Sequence, residues 1–298
     1  MAAAAEPQPA SLPLPGGSEG ATVRVHPVTT GTSMYPEDAF FTPGGRLAPL
    51  HALGFRSKRI EIPIPAFIVE HPGAGTILID TGFHGSIAVD PKPNMGPILG
   101  RLFNTTMSAD EGLPDQLRAR GLDPKAVKTV VMTHLHVDHA SGVAQFPDAT
   151  FIVTAREWKA ATEEKGITGG YVRRQFDHAF DWRTIDFEGQ EVNSFASFGR
   201  TLDLFGDGSV RLAYTPGHTL GHMSVVLRTA EGDFLVVADA AYTWRTIRES
   251  AMPFGAHDEH EFKRSLREVQ RFIEQKPGAV ISPGHDLEAF RALKPVYG

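Results

Sequence analysis

The sequence predicts an α/β protein built as two halves that face each other, and three features point to it. Short apolar, β-branched runs recur along the chain, each bounded by Gly, Pro or a polar turn. Segments with apolar residues at helical spacing lie between them. The second half echoes the first without repeating it. Residues 232–239 (GDFLVVAD), like 75–80 (GTILID), are an apolar strand that follows Gly and ends on Asp. Residues 279–285 (AVISPGH) parallel 127–134 (VKTVVMTH) in ending on His.

Taken in order, residues 1–20 hold Ala, Pro or Gly at twelve of their 20 positions and show no apolar period. They are expected to be a flexible tail ahead of one domain over 21–298. They supply neither the basic start nor the apolar core of an export signal. Residues 22–26 alternate as a strand, and 29–49 are expected to be a loop carrying Met34, Tyr35, Phe40 and Phe41. Residues 60–70 and 76–82 read as a hairpin turning at Pro72 and Gly73, its second strand ending on Asp80. Residues 84–109, rich in Pro and Gly, read as a surface excursion. A short helix over about 114–120 follows, with Leu113 and Leu117 inward and Gly121 as its stop.

Residues 127–132 form a buried strand and 150–153 another. Thr154 and Glu157 are spaced as a capping box for a helix that carries Trp158. Residues 167–200 are irregular and aromatic, and Tyr171, Phe176, Phe180 and Trp182 are expected in the core or at a subunit contact. A strand over 210–213 comes next. Asp258 and Glu261 cap a helix in which Phe262, Leu266, Val269 and Phe272 recur at helical spacing.

Composition narrows the function. At 298 residues, 41% hydrophobic and 21% charged, the chain has the make-up of a globular protein with a substantial core. A net charge of -6 with no run of Lys or Arg argues against a nucleic-acid partner. No stretch of about 18 apolar residues could cross a membrane, so a cytoplasmic protein is expected. Cys is absent, which leaves His and Asp to bind any metal.

The chemistry concentrates in Thr133-His134-Leu135-His136-Val137-Asp138-His139, just after the buried strand. Open α/β sheets place their sites at such strand ends. Imidazole and carboxylate together suit a divalent ion such as Zn, Fe or Co. One ion cannot easily use all four donors. His134 and His136 face one way on extended chain, while Asp138 and His139 lie round the turn, so two adjacent ions fit better. His218, Asp239 and His285 also end strands, on the same rim.

His134-x-His136-x-Asp138-His139, then His218 in Pro-Gly-His-Thr-x-Gly-His, Asp239, and Pro283-Gly284-His285-Asp286 together resemble the metallo-β-lactamase superfamily. The likeness runs over nearly the whole chain from about residue 22. It implies an αββα sandwich with a dinuclear site on its edge. By that likeness His134, His136 and His218 hold one divalent ion, Asp138, His139 and His285 hold the other, and Asp239 bridges. Zn is the first expectation, with Fe or Co as alternatives. Asp239-Ala240-Ala241-Tyr242 and the hairpin ending Asp80-Thr81-Gly82 look most like the N-acyl-homoserine lactonases, which implies a homodimer acting on a small lactone.

Two cations sharing a water lower its pKa from about 15.7 toward about 7, giving a nucleophile without Ser or Cys. The Tyr242 hydroxyl is expected to support the oxyanion, and Asp138 to carry a proton. Asp80 and His222 are expected behind the ligands, orienting them. Met34, Phe40, Phe41 and Phe83 are expected to border the acyl chain. The other histidines, His26, His51, His71, His84, His178, His257 and His260, read as structural. A glyoxalase II-like thioesterase is disfavoured by the short stretch after His285, and a metal-free binding member by the complete ligand set. An organophosphate hydrolase stays open.

Overall fold

The computed structural model describes residues 5–41, 48–164 and 166–298. Its first sheet has eight strands in the order β1 (Gln8–Pro9), β8 (Asp181–Ile185), β7 (Thr150–Thr154), β6 (Thr129–Val131), β4 (Gly75–Ile79), β3 (Arg59–His71), β2 (Arg24–Pro36) and β5 (Thr105–Thr106). The second has six: β14 (Val280–Pro283), β13 (Gly232–Ala238), β12 (Met223–Thr229), β11 (Val210–Tyr214), β10 (Phe198–Asp203) and β9 (Asn193–Phe195). Antiparallel hairpins build β2 to β4 and β9 to β13, whereas β4, β6, β7 and β8 run parallel, as do β13 and β14.

Alternation along the strands explains the layers. Ile77 and Ile79 turn inward and, with Val131 and Ile152, meet Leu212, Val225, Phe234 and Val236 of the other sheet. The residues between them turn outward. Leu78, Val130 and Phe151 lie under Leu113 and Leu117 of α1 (Leu113–Ala119), while Leu235 and Val237 lie under Phe262, Leu266, Val269 and Phe272 of α3 (Glu259–Gln275). Both faces of these strands are covered, which is why they read as unbroken apolar runs. Helix, sheet, sheet and helix give the αββα sandwich. Each loop that carries a candidate donor leaves the C-terminal end of β6, β11, β13 or β14, so all of them emerge on one rim.

Several expectations are corrected. Residues 5–20 are no loose tail: β1 pairs parallel with β8, the Leu14 amide bonds to Leu204 O at 2.8 Å, and Ala10, Leu12 and Leu14 rest on the core between the sheets. The two-residue spacing of those three side chains was the signal, masked by Pro9, Pro13 and Pro15 beside and between them. The segment from Thr29 is strand as far as Pro36, because Gly31, at φ 121, shifts the register between Thr29 and Thr32 and breaks the alternation. The excursion over 84–109 buries Ile87 and Met95 against the site. The stretch 167–200 is not irregular throughout, since it contains β8 and β9, whereas Phe176 and Trp182 lie in the core as expected. Thr154 accepts from the Glu157 amide at 3.0 Å and caps α2 (Ala155–Lys159), yet the Glu157 carboxylate does not return to complete the box.

Candidate metal centre

Two donor sets meet at the rim. His134, His136, His218 and Asp239 form one, and Asp138, His139 and His285 the other, the ligand atoms of each set lying within 4.8 Å of one another. His218 Nε2 is 2.9 Å from His136 Nδ1 and 3.2 Å from His134 Nε2. A tetrahedron with bonds of about 2.0 Å has edges of about 3.3 Å, so these spacings suit a small divalent ion. Asp239 faces both sets. Its Oδ2 is 3.2 Å from His218 Nε2, and its Oδ1 is 3.3 Å from His285 Nε2 and 3.5 Å from His139 Nε2. Asp138 Oδ2 is 3.5 Å from His285 Nε2. Asp239 Oδ1 and His139 Nε2 are buried without a hydrogen-bond partner, which is costly unless a cation completes them. The donor chemistry therefore fits the ions that the sequence implies.

The remote ring nitrogens are held by neighbours, which fixes each ligand's aim. His139 Nδ1 donates to Asp80 Oδ2 at 2.8 Å, and His285 Nδ1 to Pro63 O at 3.0 Å. Asp80 also accepts from the Thr133 amide and hydroxyl, both at 2.7 Å. It sits at φ 58 just past β4, and Ala238, at φ 49, makes the matching turn at the last residue of β13. Left-handed non-Gly residues at both strand ends are strain held in place by the surrounding contacts. His222 stays outside both sets: its Nε2 accepts from the Asp239 amide at 3.0 Å and its Nδ1 donates to Thr215 O at 3.0 Å. Asp80 and His222 thus lie behind the donors. The seven histidines read as structural belong to neither set.

Burial governs the protonation states. It lowers His136 to about 4 and His222 to about 3, and takes His134 and His218 well below 6.5. Burial works against His139 too, but Asp80, Asp138 and Asp239 raise it well above 6.5. For Asp239, burial is overcome by His285, His218 and His139, which hold its carboxyl well below the usual range. Burial, with Asp239 nearby, raises the Tyr242 phenol well above 10, so it keeps its proton.

A pH dependence follows for protein stripped by a chelator. Between pH 6.5 and the lowered values of His136 and His222, the unfolded chain binds protons that the folded one refuses, so stability falls as pH drops. The raised pair, His139 and His285, lose their contribution only above pH 6.5, as pH rises through their folded values. The urea midpoint should therefore be lower at pH 5 than at pH 6.5. A higher midpoint at pH 5 would contradict neutral buried imidazoles.

A cavity of about 180 Å³ opens over the cluster. Its wall among the described residues includes Tyr35, Phe40, Ile62, Phe103, Val137 and Tyr242, with His136, Asp138, His218, Asp239 and His285 at its floor. Of the four residues expected to border an acyl chain, Phe40 lines it. Phe83 is buried behind the wall, Phe41 packs under the Arg245 guanidinium at 4.1 Å, and Met34 lies off the wall on β2. Tyr35 takes the place expected of Met34 because the strand continues there. Its ring stacks on Phe40 at 5.4 Å, and burial together with Asp138 and Asp239 pushes its phenol up to about 12.

The family model of the metallo-beta-lactamase superfamily matches residues 60–285 of the chain. The chain belongs to that superfamily. The chain is similar to the N-acyl homoserine lactonase AttM of Azorhizobium caulinodans, 35% identical over 241 residues that cover 80% of this chain and 87% of that protein. AttM of Agrobacterium fabrum is 34% identical over 78% of this chain and 86% of its own length. Among solved structures, a mutant of B. thuringiensis AiiA with N-decanoyl-L-homoserine bound at the active site superposes with a TM-score of 0.75 at 22% identity, covering 93% of this chain and 100% of that one. AidC, a dizinc quorum-quenching lactonase, superposes with a TM-score of 0.60 at 16% identity, covering 92% of this chain and 90% of that one. These two likenesses bear on the fold alone. The protein is a metal-dependent hydrolase of the superfamily related to lactonases, and its two His/Asp sets are a candidate binuclear site. No helix among the described residues is long and apolar enough to cross a membrane.

Proposed function

We propose that the protein opens the lactone ring of N-acyl homoserine lactones, using two divalent ions, Zn foremost, held by His134, His136 and His218 on one side, Asp138, His139 and His285 on the other, and Asp239 between. The observation that carries this reading is the placing of Tyr242. Its hydroxyl lies 2.9 Å from His218 Nδ1, on the wall of a cavity whose sides are apolar. The relatives named N-acyl homoserine lactonases at 34–35% identity support this substrate class. Such a substrate needs polar groups at the ring and an apolar wall beyond it.

Bound at these donors, the ions supply a water acidic enough to attack at neutral pH and a positive charge to polarise a carbonyl. The chain's own groups do the rest. His218 would ligate through Nε2, which faces the other donors, and would then carry its proton on Nδ1, facing the Tyr242 oxygen. Tyr242 accepts there, and its own O–H is free to donate into the cavity. A neutral phenol so placed can hold negative charge as it develops on the carbonyl oxygen of the substrate. Asp138 turns one oxygen to His285 and lines the cavity, so its other oxygen can take a proton and return it to the ring oxygen on opening. Phe40 covers His285 and Tyr242 at ring separations of 5.9 and 4.5 Å and keeps bulk water from that side.

Tyr242→Phe should lower kcat by about a hundredfold, with the fold kept because the ring remains. Steady-state rates beside metal analysis check this. Unchanged kcat would make the phenol a packing group. The reading as a whole is tested with the metal-loaded protein on acyl homoserine lactones, thioesters, organophosphates and β-lactams. Ring opening of the lactones, followed as acid release, is the expected result, and no turnover of any lactone would overturn it.

A further inference from the structure

Glu157 is wholly buried in α2 and belongs to neither donor set. A buried carboxyl needs partners. Its Oε1 accepts from the Leu135 amide at 3.0 Å, between His134 and His136. Its Oε2 accepts from the Gly221 amide at 3.2 Å, three residues after His218 and one before His222. One side chain therefore joins the loop after β6 to the loop after β11. These are the two loops that carry the three imidazoles of the first set.

Thr154 grips the same glycine from its other side. Its Oγ1 accepts from the Glu157 amide at 3.0 Å and donates to Gly221 O at 2.8 Å. A Cβ on Gly221 would stand 2.1 Å from Thr154 Oγ1 and 2.3 Å from the Glu157 nitrogen, so only Gly lets the loop come this close. Tyr171 stands against the same loop, its ring 5.0 Å from that of His136. Capping α2 needs Thr154 alone. The local rule would turn the Glu157 carboxylate back to the Thr154 amide, and it reaches across to two other loops instead.

We propose that Glu157 is a positioning residue that clamps the two loops together and so sets the affinity of the His134, His136 and His218 donors for their ion. The proposal rests on the dinuclear reading above. Glu157→Gln keeps the volume and one acceptor oxygen but turns an NH2 toward an amide that also donates. Its first ion should be stripped by about tenfold less chelator than the wild type needs, the size expected for a residue that supports a ligand. The ion at Asp138, His139 and His285 should leave at the wild-type chelator concentration. A purely structural role would lower the urea midpoints of metal-free and loaded protein equally and leave the chelator titration unchanged, which overturns the proposal. Amide exchange on the wild type gives a test that needs no variant. With metal removed, the Leu135 and Gly221 amides should exchange as slowly as those of β6, and rapid exchange at both overturns the clamp. A wild type holding two ions beside a variant that matches it defeats the clamp alone, whereas a wild type holding none defeats the dinuclear reading as well.

Discussion

Asp239→Asn should keep the sandwich and lose metal from both sides of the cluster, with kcat/KM for a lactone down by at least about a thousandfold, or about 4 kcal/mol of transition-state stabilisation. The size follows from where its oxygens point. Oδ2 approaches His218, and Oδ1 approaches His285 and His139 without any hydrogen bond of its own. An amide keeps one acceptor and turns an NH2 against ring nitrogens that must offer lone pairs. It also removes the negative charge that would offset two bound dications. Metal analysis beside lactone kinetics decides the matter, and two ions per chain at the wild-type rate would show that Asp239 does not bridge.

Gly217→Ala should be the most destabilising small change near the site, at least about 3 kcal/mol by the scale of backbone strain, out of a total of about 5–15. Gly217 has φ 128, and a Cβ there would lie 2.1 Å from Phe262 N and 2.3 Å from Phe262 Cα. Those are backbone atoms of α3, which cannot swing aside as a side-chain tip can. The helix is seated on this turn: the Asp258 amide donates to Gly217 O at 3.0 Å and Ser265 Oγ to Pro216 O at 2.6 Å. Since His218 comes next, metal retention should fall with stability. Urea titrations with and without metal measure both, and a wild-type midpoint would mean that turn and helix are not pressed together in solution.

How far the site could be read in advance depended on the length of chain that carries each feature. The candidate donors could be picked out because each is a residue type at a strand end, and both parts are local: a β-branched run, then His or Asp. The place of Tyr242 on the cavity wall followed in the same way, three residues beyond Asp239. The cavity wall was not. Tyr35 reaches it only because a glycine bulge at Gly31 carries β2 five residues past the point where the alternation lapses. Ile62, Phe103 and Val137 come from three separate elements and share no spacing. Glu157 looked like half of a capping box, and nothing nearby reveals that its carboxylate serves residues 22 and 64 positions away. The N-terminal strap failed for a compositional reason, because Pro and Ala dilute an apolar alternation that three side chains still keep.

Each donor set draws from both halves of the chain: His134 and His136 with His218 and Asp239, and Asp138 and His139 with His285. An ion held by either set therefore ties one sheet's rim to the other's, and unfolding must release it. By mass action, an ion present at a hundred times its dissociation constant adds about 2.7 kcal/mol to the folded state. Supply of metal would then govern how long the protein lasts as well as how fast it works. A cell short of the ion would clear the idle chains by proteolysis.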